Sequence, residues 1–182
     1  EYPTKSASTS TIKSHIEKLK KRGISPDLIM IDYADLLKPI KNTREKRHDL
    51  ESIYEELRAI AQIYDCPVWT ASQTNRSGLN AEVITMESIS EAFNKCFVAD
   101  FIFTISRTVE DKTTNTGRMF VAKNRNGPDG LVFPLSMDTS NVYIDVLRKV
   151  QENAGDLIVK TAKEQKDVLR EKYKKYMKGG AQ

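Results

Sequence analysis

Cysteine and histidine are both scarce in this chain of 182 residues, which contains two of each. Cys66 and Cys96 are too few and too far apart for a disulfide framework or a zinc site. We therefore expect both to be reduced residues of the core. His15 and His48 have no recognisable partners in the sequence, so neither metal binding nor acid–base catalysis by histidine is indicated.

Long apolar runs and targeting signals are also missing. No stretch approaches the roughly 20 apolar residues needed to cross a bilayer, and no signal peptide opens the chain, so we expect a cytoplasmic protein. The first residue is Glu1 rather than methionine, which favours a piece of a longer protein. The sequence also contains no G-x-x-x-x-G-K-[ST] phosphate loop, the motif whose backbone cradles nucleotide phosphates.

What is present suits a globular domain with a real core, since 39% of the residues are hydrophobic and 30% are charged. The net charge is +4, from 29 basic and 25 acidic residues. An excess of this size permits a nucleic-acid partner without requiring one.

The order of apolar patterns predicts an α/β fold. Apolar runs typical of strands covered on both faces in a parallel sheet alternate with stretches of helical spacing. The predicted strands are 27–32, 66–72 and 100–107, and the predicted helices are 11–22, 50–64 and 87–98. Antiparallel strands are expected to finish this mostly parallel sheet, at 117–123, 131–137 and 141–147, with a hairpin turn at 124–130.

The connecting segments are predicted to be mainly irregular. Most of 36–49 is expected to be a loop and 108–116 a polar turn. Residues 1–150 should form one domain, whereas 151–182 change to a Lys/Glu-rich pattern that predicts a charged amphipathic helical tail.

Two predicted strands end in side chains that could carry chemistry, because ligands of open α/β sheets lie beyond the carboxyl ends of strands. Asp32 could hold Mg²⁺ beside a nucleotide, or it could simply cap the next segment. Gln73 could bind a terminal phosphate or orient a water molecule, or it could be a polar residue meeting solvent.

Basic residues cluster in three further places. Lys123 and Arg125 lie two residues apart at a strand end, so both could reach a phosphate from one face, or they could protect a solvated hairpin edge. Two loops suit contacts to a nucleic-acid backbone, although a solvated surface is the other interpretation. Their polar residues are Lys38, Lys41, Arg44, Lys46 and Arg47 in the first loop, and Thr74, Asn75, Arg76, Ser77 and Asn80 in the second.

The order of four segments resembles the motor domain of DnaB-family replicative DNA helicases, particularly those of phages. The segments are "LIMIDYADLL" (28–37), "PVWTASQTNRSG" (67–78), "ADFIFTISR" (99–107) and "VAKNRNGPDG" (121–130), and the resemblance runs from about residue 1 to 147. It implies a RecA-like three-layer α/β/α domain that uses ATP and Mg²⁺ and forms a hexameric ring around single-stranded DNA. Partners implied by it are other copies of the chain and a primase or helicase loader, in a bacterial or phage-infected cell.

The resemblance also implies roles for individual residues. Asp32 corresponds to the Walker B aspartate that coordinates Mg²⁺, and Gln73 to the glutamine that senses the terminal phosphate. Arg125 corresponds to the arginine finger that reaches the neighbouring subunit's nucleotide, and Lys123 to its accompanying lysine. The DNA-binding residues that it implies, in loops facing the central channel, are Lys38, Lys41, Arg44, Asn75, Arg76 and Lys95.

The phosphate loop and the catalytic glutamate of this family have no counterpart here. We therefore expect the chain to be the C-terminal part of an ATP-dependent helicase motor that translocates 5′–3′, and whether the chain by itself is an enzyme stays open. The alternatives are a RecA-type recombinase or regulatory ATPase, and a non-catalytic nucleic-acid-binding or interaction module.

Overall fold

The computed structural model describes residues 2–40, 45–75, 81–88 and 94–147. The chain divides into two compact units, 1–75 with 89–100 and 76–88 with 101–182, here called the first and the second unit. The predicted tail at 151–182 and three predicted DNA-binding residues, Lys41, Arg44 and Arg76, lie outside the described residues.

The first unit places a short parallel sheet among helices. Its elements are α1 (Thr9–Lys20), β1 (Ile29–Ile31), α2 (Lys46–Tyr64), β2 (Val68–Thr70) and α3 (Asn94–Val98). The strands β1 and β2 pair in parallel, with Ile29 opposite Val68 and Ile31 opposite Thr70. The predicted parallel pairing of these two strands is confirmed.

The core of the first unit lies where α1 and α2 bring their apolar faces together. Its buried residues are Ile16, Ala34, Ile53, Leu57 and Ile60. The spacing of Ile53, Leu57 and Ile60 puts all three on one face of α2, as the sequence predicts. The helix begins at Lys46, so the last part of the loop predicted at 36–49 is helical.

The two strands of the first unit are less covered than the sequence predicts. Ile29, Ile31 and Val68 pack against the core, but Met30 is 75% exposed and Trp69 is 47% exposed. Met30 and Trp69 are partners across the sheet, and successive side chains of a strand point to opposite faces. The described part of the first unit therefore covers one face of this sheet.

The second unit is an antiparallel sheet in the order β3-β4-β5-β6. Its elements are β3 (Phe101–Ser106), α4 (Val109–Thr114), β4 (Thr116–Asn124), β5 (Val132–Asp138) and β6 (Tyr143–Val146). The hairpin joining β4 and β5 and the last strand are confirmed.

The predicted mostly parallel sheet is found in part. Among the described residues β1 and β2 pair in parallel, and the strands predicted at 117–123, 131–137 and 141–147 pair antiparallel, with β3 pairing antiparallel with β4. A parallel connection needs a crossover of about a dozen or more residues, and the segment between β3 and β4 is shorter than that. What holds is a mixed α/β fold with parallel and antiparallel pairing.

The segment between β3 and β4 is a helix rather than the predicted polar turn. Thr108 accepts a hydrogen bond from the Asp111 backbone N–H, and Asp111 accepts one from the Thr108 backbone N–H, which together form a capping box at the start of α4. Of the helix predicted at 87–98, α3 accounts for Asn94–Val98, residues 86–88 form a 3-10 turn, and 89–93 lie outside the described residues. No helix in the described ranges is long and apolar enough to span a membrane.

Asp111 gives the second unit a dependence on pH. Burial alone would raise the pKa of its carboxyl group, but hydrogen bonds from Thr108 and Thr116 and the Arg118 guanidinium at 2.8 Å outweigh burial and lower it. Because the folded pKa lies below the unfolded value of about 3.9, Asp111 stabilises the fold above that pH. This contribution is lost as the pH falls through the folded pKa.

We expect the free energy of unfolding to fall in acid less steeply for Asp111→Asn than for the wild type. Denaturant unfolding followed from neutral pH to about pH 3 measures this difference. Asp129→Asn, at an exposed hairpin position, is the matched control and should retain the wild-type slope. Identical pH profiles for Asp111→Asn and the wild type would contradict the assignment.

Candidate functional site

Asp32 and Gln73 follow the carboxyl ends of neighbouring parallel strands. Asp32 comes directly after β1, and Gln73 comes three residues after β2. Because Ile31 and Thr70 are partners in the parallel sheet, both strands end at the same edge. Both side chains are exposed. The structure thus brings these two predicted site residues to one edge of the first unit.

Side-chain contacts connect the two strand ends. The Gln73 amide Nε2 donates a hydrogen bond of 3.0 Å to the hydroxyl of Tyr33, the residue after Asp32. The Thr70 hydroxyl accepts from the Ala34 backbone N–H at 2.8 Å and donates to the Ile31 carbonyl at 3.0 Å. Tyr33 and Thr70 were not predicted as site residues, because nothing in the local pattern shows which hydroxyl will bridge two strands.

The donor set at this edge suits a metal that keeps most of its own water. The described residues contain no cluster of three or more His, Cys, Asp or Glu able to hold a metal ion together. Mg²⁺ is commonly held by one or two carboxylates, with water and substrate phosphates completing its shell. The single exposed carboxylate of Asp32 fits that arrangement.

Lys95 lies in a buried cluster rather than on an open surface. Its Nζ atom is 3.0 Å from Asp35 Oδ2 and 2.6 Å from Ser72 Oγ, and the residue is 2% exposed. In this structure the ammonium group of Lys95 is enclosed and already paired, so the DNA-binding role expected from the sequence stays a prediction that these contacts do not favour. The sequence could not show this, since Asp35 lies 60 positions away.

Tyr54 completes the cluster around Asp35. Its hydroxyl donates a hydrogen bond of 2.8 Å to Asp35 Oδ1. Burial first, and then the charge of Asp35, raise the pKa of Tyr54 far above its ordinary value, so the phenol stays protonated as a donor. The Lys95 ammonium also lies 5.7 Å from the centre of the Tyr54 ring, within the range of a cation–π contact.

The remaining described residues predicted to bind DNA lie near the same strand ends in sequence. Lys38 is exposed, and its backbone N–H donates a hydrogen bond of 2.8 Å to the Ala7 carbonyl. Asn75 is half-buried and is the last described residue before the gap at 76–80. Lys38 is therefore a surface cation on an anchored backbone.

Lys123 and Arg125 lie at the hairpin between β4 and β5 in the second unit. Lys123 is half-buried within β4 and pairs with Ile102, whereas β4 ends at Asn124 and Arg125 is exposed in the turn. The common face expected for Lys123 and Arg125 rests on strand alternation, which ends at Asn124, so a shared face stays a prediction.

Asn124 organises the turn that carries Arg125. Its side-chain amide donates to the Pro128 carbonyl at 3.2 Å and accepts from the Asn126 backbone N–H at 3.2 Å. A Cβ atom at Gly127 would lie 2.8 Å from the Asn124 Nδ2 atom, so a side chain there would displace this amide. Asn124 was missed as a site residue, although asparagine before a Gly- and Pro-rich turn is a recognised turn signal.

A carboxylate and an amide at one edge of a parallel strand pair occupy the usual ligand position of α/β proteins. The family model of the DnaB-like helicase C terminal domain matches residues 2–141. This chain belongs to that family, as its sequence motifs predict.

Two curated relatives are replicative helicases. The chain is 29% identical over 114 residues to the DnaB-like replicative helicase of Enterobacteria phage T4, a match covering 60% of this chain and 24% of that protein. It is 26% identical over 156 residues to the replicative DNA helicase DnaB of Geobacillus stearothermophilus, covering 82% of this chain and 34% of that protein. The chain thus spans about a quarter to a third of the length of these relatives.

Solved structures share the fold. An ATPase domain superposes with a TM-score of 0.69 at 23% identity, over 78% of this chain and 52% of that one. A DnaB-like replicative helicase, described with its interactions with primase, superposes with a TM-score of 0.64 at 24% identity, over 73% of this chain and 34% of that one. The mixed α/β fold is similar to that of DnaB-like helicase ATPase domains.

Proposed function

We propose that this chain supplies the C-terminal part of an ATP-dependent motor that unwinds duplex DNA by moving along single-stranded DNA. The observation that carries the proposal is the common edge of β1 and β2, where Asp32 and Gln73 follow paired strands and Gln73 bonds to Tyr33. A carboxylate and a neutral amide are the two groups that nucleotide hydrolases place beside the terminal phosphate. In this proposal the two units belong to one RecA-like three-layer domain.

Each predicted catalytic residue has a role in this proposal. Asp32 holds Mg²⁺, which when bound neutralises charge on the nucleotide phosphates. Gln73 exchanges its hydrogen bond with Tyr33 for one with the terminal phosphate. Arg125, with Lys123 beside it in sequence, reaches the nucleotide of a neighbouring subunit, as an exposed guanidinium on a fixed turn can.

The polar residues after β1 and β2 form the proposed path for DNA. Lys38 is the described cation that best fits this role, because it is exposed on an anchored backbone. Asn75 lies between Gln73 and the next basic residue, so it is placed to connect nucleotide and DNA contacts. Lys41, Arg44 and Arg76 are assigned to the same path from the sequence alone.

The family also supports a proposal for the assembly and its setting. We propose a hexameric ring of the complete protein around single-stranded DNA, in the cytoplasm of a bacterial or phage-infected cell. A primase contact is supported by the helicase of similar fold that was described with primase. A recombinase, a regulatory ATPase or a non-catalytic module is not favoured, because both curated relatives are replicative helicases.

The test uses the complete helicase that contains this chain, assayed for ATP-dependent unwinding of a forked duplex and for binding of single-stranded DNA. Lys38→Ala should weaken binding and flatten its salt dependence by up to about 0.7 in log–log slope, the value for one lost phosphate contact. Lys18→Ala, an exposed lysine on α1, is the matched control and should keep the wild-type slope.

The unwinding assay tests the helicase function, and the salt dependence of DNA binding tests the proposed DNA path. A complete protein that binds ATP and DNA but unwinds no duplex would contradict the helicase function. An unchanged slope for Lys38→Ala in an active helicase would remove only the segment after β1 from the DNA path.

A further inference from the structure

Four segments that are distant in sequence meet at the carboxylate of Asp35. Lys95 comes from α3, Ser72 from the residues after β2, Tyr54 from α2, and Asp35 from the turn after β1. Asp35 Oδ2 contacts Lys95 at 3.0 Å and Ser72 Oγ at 3.1 Å, whereas Oδ1 accepts from Tyr54 at 2.8 Å. Both oxygens of the Asp35 carboxylate therefore accept hydrogen bonds from side chains.

Because Lys95 is buried, its charged group depends on its hydrogen-bonding partners. The Lys95 side chain is 2% exposed and that of Asp35 is 17% exposed. A buried ammonium group is retained only when it is paired and hydrogen-bonded, because the interior solvates charge poorly. The ammonium here has two oxygen partners, Asp35 Oδ2 and Ser72 Oγ, so its position is tied to both strand ends.

The partners of Lys95 are immediate neighbours of the proposed nucleotide site. Ser72 directly precedes Gln73, and Asp35 lies three residues after Asp32. A movement of either strand end must therefore stretch or release the contacts of a side chain that belongs to α3.

We propose that Lys95 is a positioning residue that ties α3 to the carboxyl ends of β1 and β2, so that movement of those ends is passed to α3. This tie, meaning the contacts of Lys95 with Asp35 and Ser72, is a feature of the first unit alone. That it couples nucleotide hydrolysis to DNA binding rests on the proposed function.

Two buried thiols in the first unit allow the tie to be tested in the chain alone. Cys96 adjoins Lys95 and is 4% exposed, whereas Cys66 precedes β2 and is 3% exposed. A thiol reagent reaches a buried cysteine only when its surroundings open, so the reaction rate reports the local opening equilibrium. Lys95→Met keeps the length of the side chain and removes its charge.

We expect Lys95→Met to speed the reaction of Cys96 by about tenfold or more, as loss of a charge-assisted hydrogen bond implies. The rate of Cys66 should change by less than about twofold, because that end of β2 does not depend on the tie. Lys95→Arg, which keeps the charge, should lie between Lys95→Met and the wild type. Equal acceleration of both thiols would mean that Lys95 serves only overall stability, and that result would overturn the proposal.

Ser72→Ala provides a second route if Lys95→Met does not fold. It removes one of the two oxygen partners and leaves the ion pair, so the reaction rate of Cys96 should again rise over the wild-type rate by more than that of Cys66 does. An unchanged Cys96 rate in Ser72→Ala, together with an unfolded Lys95→Met, would also overturn the proposal. The contact between Lys95 and Ser72 would then not restrain α3.

The coupling is tested separately in the complete helicase. Lys95→Met should lower the kcat of DNA-stimulated ATP hydrolysis about tenfold while the KM for ATP changes by less than about twofold, and Lys95→Arg should recover part of the kcat. A salt slope of DNA binding reduced by about 0.7 would instead make Lys95 a phosphate contact and overturn the positioning role. The thiol measurements use neither nucleotide nor DNA, so they stand or fall independently of the helicase function.

Discussion

Replacing Ile60 with alanine is expected to lower the free energy of unfolding of this chain by about 2–5 kcal/mol, the range for large-to-small changes in a core. Ile60 is 0% exposed and packs with the other core residues of the first unit. Ile63→Ala is the matched control, since Ile63 lies on the same helix and is 62% exposed. Its effect should stay within about 0.5 kcal/mol.

Comparing Ile60→Ala with Ile63→Ala isolates the effect of core packing on the free energy of unfolding. Both variants make the same chemical change in α2, so the gain in helix propensity from isoleucine to alanine is shared. Urea unfolding followed by circular dichroism gives the two free energies. Equal losses for Ile60→Ala and Ile63→Ala would mean that α2 does not bury the face assigned to it.

This buried face of α2 could be predicted because periodicity is a local property of the sequence. Apolar residues at spacings of three and four can face one neighbour only if the segment is helical. The strand positions of β1 and β2 were also readable from their apolar runs. The sequence did not show which face of each strand is covered, because coverage depends on elements elsewhere in the chain. Met30 and Trp69, which are exposed, illustrate this.

Lys95 shows a second limit of sequence-based prediction. A lysine near other polar residues is normally solvated, and that expectation fails here because the side chain meets Asp35 and Ser72 across long sequence separations. Spacing within a segment carries no information on such a contact. The cluster therefore required the structure.

The helix α4 was missed for a different reason, since its signal was present in the sequence. Thr108 and Asp111 stand three positions apart, in the spacing of a capping box. The segment is also too short for the crossover that a parallel connection to β4 would need. The capping-box spacing predicts the helix, and the short connection agrees with the antiparallel pairing of β3 and β4.

Arg125→Ala should lower the kcat of ATP hydrolysis by the complete helicase by about 10³-fold or more, with nucleotide binding retained. An arginine finger stabilises charge that develops in the transition state, so its removal affects the chemical step more than binding. The turn around Asn124 and Pro128 fixes the backbone that carries Arg125. Arg125→Lys is the matched variant, because it keeps the charge but loses the planar, two-pronged donor geometry, and it should recover little of the kcat.

Mixing two inactive variants decides whether Arg125 acts on a neighbouring subunit. Arg125→Ala subunits retain Asp32, and Asp32→Asn subunits retain Arg125, so a mixed ring contains junctions at which both groups are intact. If Arg125 acts in trans, such rings should recover part of the hydrolysis that each variant lacks alone. If rings shown to be mixed recover nothing, Arg125 acts within its own subunit or only in the structure of the hairpin, because a trans contact would have been restored at those junctions.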